Sequence, residues 1–124
     1  RKKNKLIIYA CTSSYPSLDE DVNLFEIKRL QKKFGRYAEI GFSGHHKGIA
    51  IDIAAATLGA TWIERHFTLD RTMKGTDHSA SLEPDGIRRL NRDLKSLSKV
   101  MTYKKKEILQ SEQLQRKKLK YKKA

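Results

Sequence analysis

Three times in its first hundred residues the sequence passes from a short apolar, β-prone run into a helical pattern, at intervals of 20–30 residues. That rhythm restricts the fold more than any other feature. The first run is "KLIIYACTSSY" (5–15), followed by "DEDVNLFEIKRLQKKFG" (19–35), where Leu24, Ile27, Leu30 and Phe34 recur at helical spacing. Acids lead that helix, Lys32 and Lys33 close it, and Gly35 follows as a stop. The second unit pairs "AEIGFSGHH" (38–46) with "KGIAIDIAAATLGA" (47–60), which carries a stripe of Ile49, Ile53 and Ala56 and an exit at Gly59. The third is "TWIERHFTL" (61–69), a polar loop, and a helix from Pro84 whose apolar face is Ile87, Leu90, Leu94, Leu97 and Met101. Strand and helix in strict alternation predict parallel strands with right-handed crossovers, an α/β fold.

Residues two apart share a strand face. One face then carries Tyr9, Cys11, Ser13 and Tyr15 from the first strand, and Glu39, Gly41, Ser43 and His45 from the second. The third strand adds Trp62, Glu64, His66 and Thr68. Each face grows polar toward its C-terminal end, where α/β folds collect their function. The opposite faces, with Ile8 and Ala10, Ile40 and Phe42, Ile63 and Phe67, suit packing against helices. If the strands are neighbours, Ser13, Tyr15, Ser43, His45, Glu64 and His66 converge on one pocket.

Charge raises a competing reading, because the net charge is +13. The opening "RKKNK" and the tail Lys104–Ala124 hold thirteen of the 27 basic residues and two of the 14 acids. The body between Leu6 and Tyr103 is almost balanced at +2. A Lys-rich end is usually a solvated linker or frayed helix, and contact with nucleic acid or another polyanion is the alternative. Tyr121 is the tail's only aromatic past Tyr103, which makes a poor stacking platform for single strands. Cys11 is the single cysteine, so no internal disulfide forms; a cytoplasmic setting is expected, with Cys11 an inert buried thiol. The most apolar later stretch is short and contains Asp52, so no membrane span is expected.

Each polar residue has a bland reading beside its chemical one. A histidine at a strand end is usually a hydrogen-bonded structural residue, but His45 and His66 together would suit a divalent Lewis acid with positions left for water and substrate. His46 lies on the opposite face and His78 in the loop, so both rank lower. Glu64 could orient or ligate, or pair with Arg65 or a base on the next strand. Asp77, beside Gly75 and Ser79, is by default a turn or helix cap, and Ser43 a turn residue.

Together, "CTSSYPSLDEDVNL", "IGFSGHHKGIAIDIAAATLGATWIERHFTLDRTMKGTDHSASLEP" and "SEQLQRKKLK" resemble the sialic acid synthases, over about Leu6 to Lys120. The resemblance implies a (β/α)8 TIM barrel, a transferase that condenses phosphoenolpyruvate with an N-acetylated hexosamine aldehyde such as N-acetylmannosamine or its 6-phosphate. Phosphate is released and a nine-carbon 2-keto acid made. It implies His45 and His66 as ligands of Mn²⁺ or Mg²⁺, Ser43 and Ser13 as phosphoenolpyruvate contacts, and Tyr15 and Asp77 as sugar contacts. Glu64 takes a supporting catalytic role. Ser13 stands where many relatives carry Asn, which keeps a hydroxyl and loses an amide. Gly44 stands where relatives often carry Asp, removing one partner of the metal histidine.

A barrel of that kind needs about 250 residues and eight strands. Residues 1–103 are therefore expected to form the three C-terminal βα units of a partial barrel, with 104–124 a basic linker. The N-terminal barrel half and a C-terminal antifreeze-like domain would lie outside the chain, the complete protein would be a homodimer, and the chain alone would be inactive.

Overall fold

A computed structural model describes residues 6–119. The basic opening at 1–5 and residues 120–124 of the tail lie outside the described residues. Three strands, β1 (Ile7–Cys11), β2 (Glu39–Gly44) and β3 (Trp62–Arg65), form a parallel sheet in the order β1-β2-β3. The chain is thus α/β with three parallel strands, as the alternation predicts. Ile8 lies opposite Ile40, Tyr9 opposite Gly41, and Ser43 opposite both Cys11 and Glu64.

The register fixes the faces. A Cβ added at Gly41 would meet the Tyr9 ring at 2.5 Å and Trp62 Cβ at 3.1 Å, so these three residues share one face and only glycine fits between the two aromatics. The Trp62 indole N–H donates to Glu39 on the same face. Behind the sheet, Ala10, Ile40 and Phe42 are buried with Ile27, Ala55 and Ala60, and Ile63 packs against them. Burying each large side chain of this kind contributes roughly 1.5–3 kcal/mol.

The helices cover that rear face. The single helix expected over 19–35 is instead two, α1 (Asp19–Val22) and α2 (Glu26–Phe34). Asn23 breaks them apart with φ 50°, a left-handed conformation that Asn tolerates better than most residues. Helix α3 (Ala50–Thr57) follows β2, and α4 (Pro84–Val100) begins at Pro84 as expected and packs on α3. Leu90 is the buried anchor of α4, whereas Met101 is exposed beyond its end. The tail is not structureless: Gln110–Leu119 form α5. The Glu112 carboxylate reaches back to accept the Leu109 N–H at 2.8 Å and pairs with Lys104 at 2.6 Å, a helix-start contact of the capping-box kind.

Two expectations about strand faces are corrected. The strand expected over 61–69 ends at Arg65; Phe67 instead bridges Leu82 and is exposed, so it does not join Ile63 in the core. Cys11, expected to be buried, is exposed, because β1 is an edge strand whose outer side has no neighbour among the described residues.

Candidate functional site

β2 ends at Gly44, and the chain leaves it as His45 and His46, which diverge to opposite sides of the sheet. His45 is only 4 % exposed. Its Nδ1 lies 2.7 Å from the Thr12 carbonyl oxygen. A carbonyl only accepts, so Nδ1 carries a proton, and in the neutral form of the ring the lone pair is at Nε2. The His45 carbonyl in turn accepts the Ser17 N–H at 3.0 Å, so the loop after β1 clasps the residue from both sides. The ring of Tyr15, from that same loop, stands 4.3 Å from the His45 ring and 5.3 Å from His66.

His66 comes directly after β3, its carbonyl accepting the Leu82 N–H at 2.8 Å. The two imidazoles are 5.0 Å apart between ring centres and nearly edge-on, at 78°. Asp77 Oδ2 lies 3.6 Å from His66 Nδ1, too long for a hydrogen bond. Asp77 makes no side-chain cap to the short 3₁₀ turn at His78–Ala80. Its expected capping duty is carried by its backbone carbonyl, which accepts from Ala80 N–H and the Ser81 hydroxyl. The carboxylate is left to accept the Thr76 hydroxyl and face His66.

One step down the strands, the Ser43 hydroxyl donates to Glu64 at 2.7 Å. Glu64 therefore answers to the neighbouring strand and not to Arg65. The structure brings Tyr15, His45, His66 and Asp77 into one group, with the Ser43–Glu64 pair on the adjoining strand faces. Ser13 is exposed, and its hydroxyl lies 3.7 Å from Cys11 Sγ. His78 bonds Thr68 at 2.7 Å, which makes it a loop brace.

Two imidazoles with a lone pair at His45 Nε2 are the donor types a divalent ion takes, with further positions for water or substrate oxygens. Among the described residues no three His, Cys, Asp or Glu side chains are grouped as a complete metal cage. A cavity of about 650 Å³ lies elsewhere, between the exposed end of β1 and α2, lined by Cys11, Asn23, Glu26 and Arg29 among others.

Behind the sheet lies a cluster that strand parity located only in part. His46 and Asp52 are fully buried, and the Arg65 side chain is 2 % exposed. Arg65 Nη1 donates to Asp52 Oδ2 at 2.5 Å, lies 3.0 Å from His46 Nε2, and donates to the Gly48 carbonyl at 2.7 Å. Its Nη2 donates to the carbonyls of His46 at 2.7 Å and Ala80 at 3.2 Å. Asp52 is the lone acid of an apolar helix and Arg65 a base beside the core-facing Ile63, a pairing that the sequence reading did not make. Gly44 also belongs to this rear side. A Cβ there would meet His46 Cε1 at 2.8 Å, Phe42 Cε1 at 2.9 Å and Asp52 Oδ1 at 3.0 Å. A side chain at 44 would thus point at the buried cluster, not at the ring of His45.

Parallel strands with their polar residues gathered at the C-terminal ends define an α/β protein with an enzyme-like site, and comparison with known proteins gives the family. The chain belongs to the NeuB family, whose model matches residues 1–106. It is 49% identical over 102 residues to the human N-acetylneuraminate-9-phosphate synthase, covering 82% of this chain and 28% of that protein. It is 39% identical over 112 residues to the N,N'-diacetyllegionaminic acid synthase of Campylobacter jejuni, covering 90% and 33%. Among solved structures it resembles the N-acetylneuraminic acid (sialic acid) synthetase of Leptospira borgpetersenii, crystallised with citrate. There the TM-score is 0.72 at 38% identity, over 91% of this chain and 40% of that one. The chain spans about a quarter to a third of the length of the curated relatives it matches.

Proposed function

We propose that this chain forms the last three βα units of a (β/α)8 barrel synthase that joins phosphoenolpyruvate to an N-acylated hexosamine aldehyde, N-acetylmannosamine or its 6-phosphate. A bond forms between C3 of phosphoenolpyruvate and the aldehyde carbon, water is taken up, and phosphate leaves, giving a nine-carbon 2-keto sugar acid. Family membership supports the reaction class. The observation that carries the site is the pair of imidazoles 5.0 Å apart at the ends of adjacent parallel strands, with Tyr15 and Asp77 beside them.

In this reading His45 and His66 hold Mn²⁺ or Mg²⁺. When bound, such an ion supplies Lewis-acid polarisation of a carbonyl oxygen. The chain's own residues do the rest. The Thr12 carbonyl keeps the His45 proton on Nδ1 and so presents Nε2. Asp77 and Tyr15 flank the imidazoles where the sugar would lie. Ser43, oriented by Glu64, would hold phosphoenolpyruvate, with Ser13 as a second contact from the neighbouring loop. Glu64 thereby supports the reaction by fixing a hydroxyl. The remaining strands, an antifreeze-like domain and a second protomer would complete the site in the whole protein, with residues 104–124 as the basic connection. No described helix is long and apolar enough to cross a membrane.

The test is phosphate release from phosphoenolpyruvate by the full-length protein, with the product identified by mass spectrometry. Release that depends on an N-acylated hexosamine and yields the 2-keto acid is the expected result. A folded full-length protein that releases no phosphate with N-acetylmannosamine, its 6-phosphate or a diacetylated dideoxy analogue would overturn the reading.

A further inference from the structure

The Arg65 side chain reaches the segments after β2 and β3 that carry His45, His66 and Asp77. Its own strand delivers His66 at the next position. Through Nη2 it bonds the carbonyl of His46, adjacent to His45, and the carbonyl of Ala80, at the far end of the turn that starts from Asp77. Through Nη1 it bonds the carbonyl of Gly48 and the carboxylate of Asp52 on α3. Taking a guanidinium and a carboxylate out of water is costly, so a plain core would favour apolar residues here. The planar fork does what an apolar side chain cannot: it joins two loops to each other from behind the sheet.

We propose that Arg65 is a positioning residue, held by Asp52, that locks the loop after β2 to the loop after β3 and thereby sets how His45 and Asp77 meet at His66. The consequence for metal and substrate rests on the synthase reading above; the locking of the loops does not.

Arg65→Lys separates this role from general stability. A lysine retains one charge for Asp52 but has no second nitrogen to span His46 and Ala80. In the full-length protein, amide exchange followed by mass spectrometry should speed up in segments 44–49 and 77–82. Segments 7–10 and 39–42 of the sheet should stay as protected as in the wild type. Mn²⁺ affinity should fall by about 10- to 100-fold, the usual effect of removing a group that orients a ligand. Should Arg65→Lys fail to fold, Asp52→Asn/Arg65→Gln removes both buried charges together and should show the same confined loosening. Loops as protected as in the wild type, or a uniform loss across loops and sheet, would overturn the proposal. Wild-type protein that neither binds Mn²⁺ nor condenses substrates would instead overturn the synthase reading, with the exchange pattern still deciding the role of Arg65.

Discussion

At the scale of single residues, Gly44 and His45 show how much one strand end has to satisfy. Gly44→Ala would push a methyl group to under 3.0 Å from His46 and Phe42, separations that real Cβ atoms essentially never show. Overpacking of this kind costs about 1–3 kcal/mol. A chemical-denaturation curve of the full-length protein should shift to a lower midpoint with its slope unchanged; an unmoved midpoint would mean that the rear cluster yields easily. Parity alone placed Ser43 and His45 on one face and Phe42 on the other, because alternation is a backbone property. It could not find the partners. Asp52 comes from a helix whose rotation about its axis is set by packing, and Asp77 from a loop whose path no periodicity describes. Cys11 was misjudged because burial of an edge strand depends on neighbours that its own residues do not specify.

At the scale of elements, the buried pair ties α3 to β3. Asp52→Ala leaves the Arg65 guanidinium buried without its carboxylate, and breaking such a pair by removing one partner costs about 3–5 kcal/mol. The same measurement should therefore show a larger loss for Asp52→Ala than for Gly44→Ala. At the start of α4, the Asp85 carboxyl is held below the usual carboxylate range, chiefly by its hydrogen bond from Arg88 and then by the charges of Arg89 and Arg88. A depressed folded value means that this contact stabilises the helix start above the ordinary Asp range, and that the contribution is lost as pH falls through the folded value. Carboxyl chemical shifts should place the Asp85 midpoint below that of an unstructured Asp, and Arg88→Ala should raise it. The break at Asn23 and the helix at Gln110–Leu119 were the least legible elements. The first follows from one left-handed residue inside an otherwise helical pattern. The second follows from helix-forming residues and the Glu112 contact, without an apolar stripe to announce it.

At the scale of the whole molecule, a three-stranded sheet leaves the outer sides of β1 and β3 without strand partners among the described residues. The sheet face with Tyr9 and Trp62 has no described helix over it, and Trp62 is 42% exposed. Open edges beside exposed aromatics template self-association. Residues 1–124 purified alone should elute as oligomers and bind a hydrophobic dye, whereas a monomer with cooperative unfolding would show that the three units suffice. The Lys-rich ends made a polyanion module the competing account, and a steep salt dependence of duplex DNA binding, abolished by removing 104–124, would favour it. The proposal for the site is narrower, that His45 and His66 together hold one divalent metal ion. Its most direct measurement is Mn²⁺ titration of the full-length protein, followed by electron paramagnetic resonance, against His45→Asn and His66→Asn. Asparagine keeps an N–H donor toward Thr12, so the buried contact of His45 survives the change. Each variant should lose more affinity than the roughly 10–100-fold typical of orienting groups, while staying folded. Wild-type affinity in either folded variant would contradict the account.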